Sequence, residues 1–256
     1  MIIKVSTSNI RFDNPKDGKH DWGHRRDILA QVLNNFSSHI LGTQEGRKDQ
    51  IMDLLSLLNE HQIIDNHRSW IKERMYPTLF YNPKHLELLL SGDIWLSQTP
   101  EIPGSKSFNS AFPRLCTWAK FKLAKKENSF YVFNCHLDHI RSSTRLAQIK
   151  VLIEQAKKIN PQSLPFLLLG DFNEGPDGEV RKELKKHYPE LFDSWLSLKK
   201  DECSSHHNFD GKDEGRRIDW VLNTSPFLAT EAKFFKDSKS GVFPSDHYPY
   251  IVEYLV

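Results

Sequence analysis

The sequence predicts an α/β fold built on mixed β-sheet. Three observations carry that prediction. Strand-like and helix-like hydrophobic patterns alternate at the N-terminal end, closely spaced β-prone stretches fill the middle, and the apolar run at residues 165–173 is too short for a helix and is closed off by glycine. Residues 2–10 read as the first strand, with Asn9 and Arg11 at its end. Residues 12–20, rich in Asp, Asn, Pro, Gly and Lys, read as a loop, and Asp21 is placed to cap a helix over about residues 24–36, where Ile28, Val32 and Phe36 recur at helical spacing. Residues 38–45 repeat the opening pattern, a short apolar run that ends in a carboxylate, and residues 49–59 carry Ile51, Leu54, Leu55 and Leu58 on one helical face.

Further along, residues 77–82, 86–96, 115–123 and 129–137 are apolar or β-prone and bounded by turn residues, so they read as strands with antiparallel neighbours. Residues 97–113, with three prolines, Gly104 and two phenylalanines, read as a long loop of the kind that carries function. Ser142 is placed to cap a helix over about residues 144–159, and Asp177 and Gly178 lead into a short helix near residues 179–188. Strands are expected at residues 217–223, 230–235 and 248–256.

Composition bounds the function. With 256 residues, 38% hydrophobic and 27% charged, and no repeat or linker, the chain is expected to form a single domain over residues 1–256 with a sizeable core. The 35 Lys and Arg against 33 Asp and Glu do not mark a polyanion binder, although a local basic patch fits within that total. Cys116, Cys135 and Cys203 are an odd, widely spaced set without a CxxC pair, which argues against a disulfide framework or structural zinc and for reduced, mostly buried thiols. No signal peptide, transmembrane segment or obligate protein partner is indicated, and the expected location is the cytoplasm.

The run Pro165-Phe166-Leu167-Leu168-Leu169-Gly170-Asp171-Phe172-Asn173 reads as a buried strand that delivers Asp171 and Asn173 to a site while Phe172 packs behind. Taken alone, it is better explained as a strand followed by an Asx-type turn. Its company changes that. Asn9, Glu45 and His136 also end strand-like runs, while Asp219 and the pair Asp246 and His247 each open one. In mixed sheet the ends of some strands lie beside the starts of antiparallel neighbours, so these residues can meet at one edge.

The ordered set Ser8-Asn9-Ile10-Arg11, Thr43-Gln44-Glu45, Asn134-Cys135-His136-Leu137-Asp138, Gly170-Asp171-Phe172-Asn173, Arg217-Ile218-Asp219-Trp220 and Ser245-Asp246-His247 resembles the endonuclease/exonuclease/phosphatase superfamily across nearly the whole chain. The resemblance implies a four-layer α/β sandwich of the DNase I-like type, two facing mixed β-sheets flanked by helices. It also implies Mg²⁺-dependent phosphoester hydrolysis, with Mn²⁺ an acceptable substitute. On that footing Glu45 is the leading metal ligand, since a carboxylate suits a hard cation that keeps most of its waters, and Asn9 and Asp246 neighbour the metal. Asp171 would orient or deprotonate the attacking water, and Asn173 would donate to water or phosphate. His136 would contact the phosphate, and His247, held by Asp219, would polarise the phosphoryl oxygen or act as base. Arg114, His139 and Arg11 are substrate candidates, and Arg145 reads equally as an exposed helix residue.

Arg11 stands where abasic-site endonucleases place a metal-binding carboxylate, which leaves the metal leaning on Glu45. His136-Leu137-Asp138-His139 lacks the basic elements that follow it in inositol phosphatases and is closer to sphingomyelinase-like and bacterial phosphodiesterase members. The loops at residues 12–22, 70–75, 97–114 and 204–217 interleave Lys16, Lys19, Lys72, Arg74, Lys106 and Arg216 with Trp22, Trp70 and Phe108; each singly reads better as a solvated cation or a loop anchor, while together they could attract phosphates and stack bases. The expected activity is hydrolysis of a nucleic-acid or nucleotide phosphodiester. The alternatives are a phospholipid or sugar or inositol phosphate substrate, or a silent phosphate-binding protein.

Overall fold

The computed structural model describes residues 1–124 and 128–256. In chain order the first part contains β1 (Ile2–Asn9), α1 (Trp22–Phe36), β2 (Ile40–Gly46), α2 (Lys48–Leu57), β3 (Gln62–Ile63) and β4 (Tyr76–Tyr81). The middle contains β5 (Leu86–Trp95), β6 (Leu115–Leu123), β7 (Ser129–His136), α3 (Ser142–Ile159) and β8 (Phe166–Asp171). The remainder is α4 (Glu179–His187), β9 (Phe192–Asp193), α5 (Ser194–Ser197), β10 (Asp219–Asn223), β11 (Leu228–Phe234) and β12 (Tyr250–Leu255). The strands form two six-stranded sheets, ordered β11-β12-β1-β2-β4-β3 and β5-β6-β7-β8-β10-β9. Among the described residues each sheet has one parallel pair, β1 with β2 and β7 with β8, and a helix connects the strands of each pair.

Alternation along the strands builds the layers. Ile3, Val5, Ile40, Leu79, Val132, Leu167, Leu169, Val221, Tyr250 and Val252 point between the sheets into one buried cluster. The opposite face of the second sheet, through Tyr131, Phe133, Phe166, Leu168 and Leu222, packs on Ile149 and Leu152 of α3 and Val180 and Leu184 of α4. Leu41, Tyr76 and Phe80 of the first sheet pack on Leu29 and Leu33 of α1 and Ile51 and Leu54 of α2. The result is the helix, sheet, sheet, helix sandwich that the sequence resemblance implies.

The same alternation places the polar tips. Asn9 continues the inward parity of Ile3 and Val5, His136 that of Phe130 and Val132, Asp171 that of Leu167 and Leu169, and Asp219 that of Val221. All four therefore face the space between the sheets at one edge. A polar layer separates them from the apolar core: Gln44 Nε2 donates to Thr7 Oγ1 at 3.0 Å and to Asn134 Oδ1 at 2.7 Å, and Asn134 Nδ2 donates to the carbonyls of Thr43 and Thr78.

Several local expectations change in the structure. Asp21 caps α1 through His24 N as its position suggests, but residues 15–20 within the expected loop form a 3₁₀ turn capped by Asn14. Ser142 is the first residue of α3 rather than its cap, and Asp138 Oδ1 instead accepts the N–H groups of Ile140 and Arg141 ahead of the helix. The short β3, β9 and α5 have too few residues to show a hydrophobic period. All three cysteines are free, and no helix among the described residues is long and apolar enough to cross a membrane.

Gly170 has φ of +135°, and a Cβ there would stand 2.0 Å from the Cys135 carbonyl oxygen on the neighbouring strand. Both the dihedral and the space demand glycine. Gly170→Ala is expected to cost about 4 kcal/mol or more, read as a lowered urea midpoint, because the clash is with backbone that cannot rotate away.

Candidate active site

The edge where the inward tips meet is centred on Asn9, which is fully buried. Its Nδ2 donates to Asp171 Oδ2 at 2.9 Å and to Glu45 Oε1 at 3.2 Å, so one amide joins carboxylates from the two sheets. Glu45 reaches this position because the β2–β4 register shifts between Thr43 and Gly46 and Glu45 itself adopts φ of +68°. Glu45 Oε2 accepts from Phe12 N at 3.2 Å. On the other flank Ser245 Oγ donates to the Asn9 carbonyl at 2.6 Å and lies 3.3 Å from Asp246 Oδ1, which tethers Asp246 and His247 beside β1. Arg25 of α1, buried and pulled down to about 10 by desolvation yet still charged at neutral pH, donates to the carbonyls of Ile10, Arg11, His20 and Pro244. It binds the chain that follows Asn9 to the chain that precedes Asp246.

Two histidines face Asp171 and differ in protonation. His136 Nδ1 lies 3.0 Å from Arg114 Nη1, and because a guanidinium only donates, this nitrogen accepts and the proton sits on Nε2, 3.4 Å from Asp171 Oδ2. Burial, then the Arg114 charge, hold His136 well below the ordinary imidazole range. His247 Nδ1 instead meets Asp219 Oδ2 at 2.8 Å, with Nε2 3.9 Å from Asp171 Oδ2. Burial opposes its charge, but Asp219, through charge and hydrogen bond, with Asp171 and Asp246, pushes His247 up to about 10. Asp171 is pushed up to about 7, first by burial and then by the Asp219 charge, against the pull of His247 and the N–H groups of Asn173 and Asn9.

Asn173 adopts φ of +52°, and its backbone N–H donates to Asp171 Oδ1 at 2.9 Å, the bond of the Asx-type turn expected from the run taken alone. The turn and the site coexist, because Asp171 uses its other oxygen on Asn9. Asn173 Nδ2 spends one proton on the Leu137 carbonyl at 3.0 Å, and Phe172 stacks behind on Trp220 with ring centroids 4.2 Å apart. Arg114 Nη2 also donates to His139 Nδ1 at 3.2 Å, while Arg11 pairs with Asp17 and lies 3.7 Å from Asp246 Oδ2. Arg145 is no exposed helix residue: it donates to the Asp138 carbonyl at 3.2 Å and lies 3.6 Å from Glu174.

Every residue proposed from the sequence for the site thus lies at this edge or one contact from it. Two of the loop aromatics take the role expected of each singly. Trp22 is buried with Nε1 on Asp53, and Trp70 packs edge-on against Tyr76 at 4.8 Å, so both anchor loops instead of offering a stacking face. The sequence reading missed Arg25, a charge inside a helix with no motif around it, and His206. The His206 ring lies 4.7 Å from that of His247, and its Nε2 is 3.9 Å from Asp246 Oδ2. The His206-His207 doublet in a loop already marked for function was its one signal. A cavity of about 740 Å³ opens at the far end of β8 around Pro165, Phe166 and Tyr188, away from these carboxylates and imidazoles.

The profile of the Endonuclease/Exonuclease/phosphatase family matches residues 6–247. The chain belongs to this family. Comparison with curated proteins gives no match. Among solved structures, an endonuclease/exonuclease/phosphatase from Bacteroides vulgatus is 25% identical with a TM-score of 0.90, covering 100% of this chain and 99% of that one. A family protein from Bacteroides thetaiotaomicron is 27% identical with a TM-score of 0.88, covering 99% and 97%. The mannosyl-6-phosphatase Bt3783 of Bacteroides thetaiotaomicron is 26% identical with a TM-score of 0.87, covering 99% and 100%. Family members hydrolyse phosphoesters, and this edge of the sandwich carries the acid, amide and imidazole groups such chemistry uses.

The raised His247 pKa fixes the sign of a pH effect. A folded value of about 10 against 6.5 unfolded means its stabilisation is fully present below 6.5 and is lost as pH rises through about 10. His247→Gln should therefore be less stable than the parent at about pH 6 and approach it near about pH 10, as urea titrations across that range will show.

Proposed function

We propose that the chain is a Mg²⁺-dependent phosphoesterase, more specifically a phosphodiesterase, that hydrolyses its substrate by attack of activated water. The observation that supports this reading most is geometric: His136 Nε2 at 3.4 Å and His247 Nε2 at 3.9 Å converge on Asp171 Oδ2, with Asp219 2.8 Å behind His247, an arrangement that favours a cationic His247 beside a carboxyl whose pKa is raised. These are the two protonation states that acid–base hydrolysis at neutral pH uses. Asp171 takes the water's proton, and Asn173, with one amide proton uncommitted, positions the water or the phosphate. His247, as imidazolium, donates from Nε2 to a nonbridging oxygen as charge develops there, and Asp219 holds the ring. His136, neutral and oriented by Arg114, donates a second hydrogen bond from Nε2. The assignment makes His247 the phosphate-polarising acid and Asp171 the base.

The donor set fits a hard divalent ion. Glu45 and Asp246 supply carboxylate oxygens on either side of Asn9, whose Nδ2 donates to Glu45 and whose Oδ1 accepts from Arg11 N at 3.0 Å with a second lone pair left over. Glu45, Asn9 and Asp246 would hold the ion, directly or through water, and when bound it supplies charge neutralisation at the phosphate. Among the described residues two trios of His and Asp ligand atoms also lie within 4.8 Å, His206–Asp246–His247 and Asp171–Asp219–His247. The second is closed by the His247–Asp219 hydrogen bond and is read here as the proton-handling group.

For the alcohol portion, the reading is a nucleotide or nucleic acid, supported by exposed Lys16 and Lys19 on the loop after Arg11. A sugar phosphate is the second reading, favoured by the likeness to the mannosyl-6-phosphatase. A silent phosphate-binding role is disfavoured by the complete set of acid, base and amide groups. The test is hydrolysis of bis-p-nitrophenyl phosphate with Mg²⁺ or Mn²⁺ and with EDTA. Activity should require the metal and fall at least about a thousandfold in both Glu45→Gln and His247→Ala. Parental rates in either variant would refute the assignment.

A further inference from the structure

Beside the active site lies a cleft of about 160 Å³ lined by Phe12, Arg47, Glu73, Arg74, Met75, Phe112 and Pro113. Its two aromatic walls are each tied to one end of the phosphate-handling groups. Phe12 donates its N–H to Glu45 Oε2, and the Phe112 ring stacks at 5.8 Å on His139, which shares Arg114 with His136. A phosphate held between Glu45 and His136 therefore has this cleft next to it.

The lining is chemically specific. Arg47 stands over the Phe12 ring at 5.2 Å, its Nη1 donates a long bond to the Asp13 carbonyl at 3.4 Å, its buried Nε has no hydrogen-bond partner, and the exposed Glu73 carboxylate is 3.7 Å away. Arg74 forms no hydrogen bond or ion pair with its side chain among the described residues. Two guanidiniums against one loosely held carboxylate leave the cleft net positive, and weakly partnered guanidiniums are suited to forked hydrogen bonds with phosphate or carboxylate. Arg11 and Arg47 both engage the Phe12 ring, whereas Phe112 is 43% exposed and keeps ring surface open to the cleft. Arg114 also stands 5.7 Å over the Phe112 ring, so both walls engage cations, and the exposed part of Phe112 is the apolar surface left to the cleft.

We propose that this cleft is the leaving-group subsite, and that it selects phosphoesters whose leaving group is itself a nucleotide, a flat base together with a second phosphate. The proposal rests on the phosphoesterase reading of the neighbouring site. A neutral sugar phosphate would leave Arg47, Arg74 and the Phe112 face without matching groups.

The test measures inhibition constants against bis-p-nitrophenyl phosphate hydrolysis for adenosine 3′,5′-bisphosphate, adenosine 5′-monophosphate and ribose 5-phosphate. In the parent protein each step down that series, losing first the second anion and then the ring, should raise the constant about tenfold. Arg74→Gln should abolish the first step and Phe112→Leu the second, while each variant keeps the other. Ratios within one variant cancel any change in its basal rate, and Arg47→Gln repeats the first comparison if Arg74→Gln fails to fold. Equal constants for the three compounds in an active parent, or ratios unchanged in the variants, would overturn the subsite. Failure of the parent to hydrolyse any phosphoester would overturn the phosphoesterase reading instead.

Discussion

The Asn9 amide is the interaction on which the site depends. Two carboxylates brought together in a buried space repel each other and lose hydration, and a hydrogen-bond donor between them offsets both penalties. Asn9 supplies that donor to Glu45 from its own sheet and to Asp171 from the facing sheet. Its position is fixed from below by the Gln44–Asn134 layer and from the side by Ser245 and the carbonyls gathered on Arg25. The sandwich is held together by its apolar core, but the separation of its two rows of functional groups is set at this polar rim.

From that arrangement the two histidines acquire opposite chemistry. Each ring presents Nε2 toward Asp171, and the partner at Nδ1 decides the charge. Arg114 behind His136 excludes a second proton, whereas Asp219 behind His247 retains one. Asp171 lies between them with a raised pKa, so a neutral donor, a cationic donor and a base occupy one cavity edge without competing for the same state.

Much of the site was legible because the fold's alternation is simple. An inward-pointing core residue two positions before the strand end puts the terminal polar residue on the same face, which is how Leu169 announces Asp171 and Val221 locates Asp219. Glu45 breaks that rule, since parity would turn it toward the helices, and only the bulge in β2 and its left-handed backbone bring it to Asn9. The one local signal for such a bulge is Gly46, directly after Glu45, and it does not tell which residue leaves the alternation. Arg25 was missed for a related reason. Its role arises from contacts with the backbone carbonyls of Ile10, Arg11, His20 and Pro244, and no local period encodes those.

The account's central claim is that water attacks phosphorus at this rim. Hydrolysis of bis-p-nitrophenyl phosphate in ¹⁸O-labelled water, followed by mass spectrometry of both products, tests it most directly. The account predicts one solvent oxygen in the p-nitrophenyl phosphate and none in the p-nitrophenol; label in the phenol, or in neither product, would contradict it.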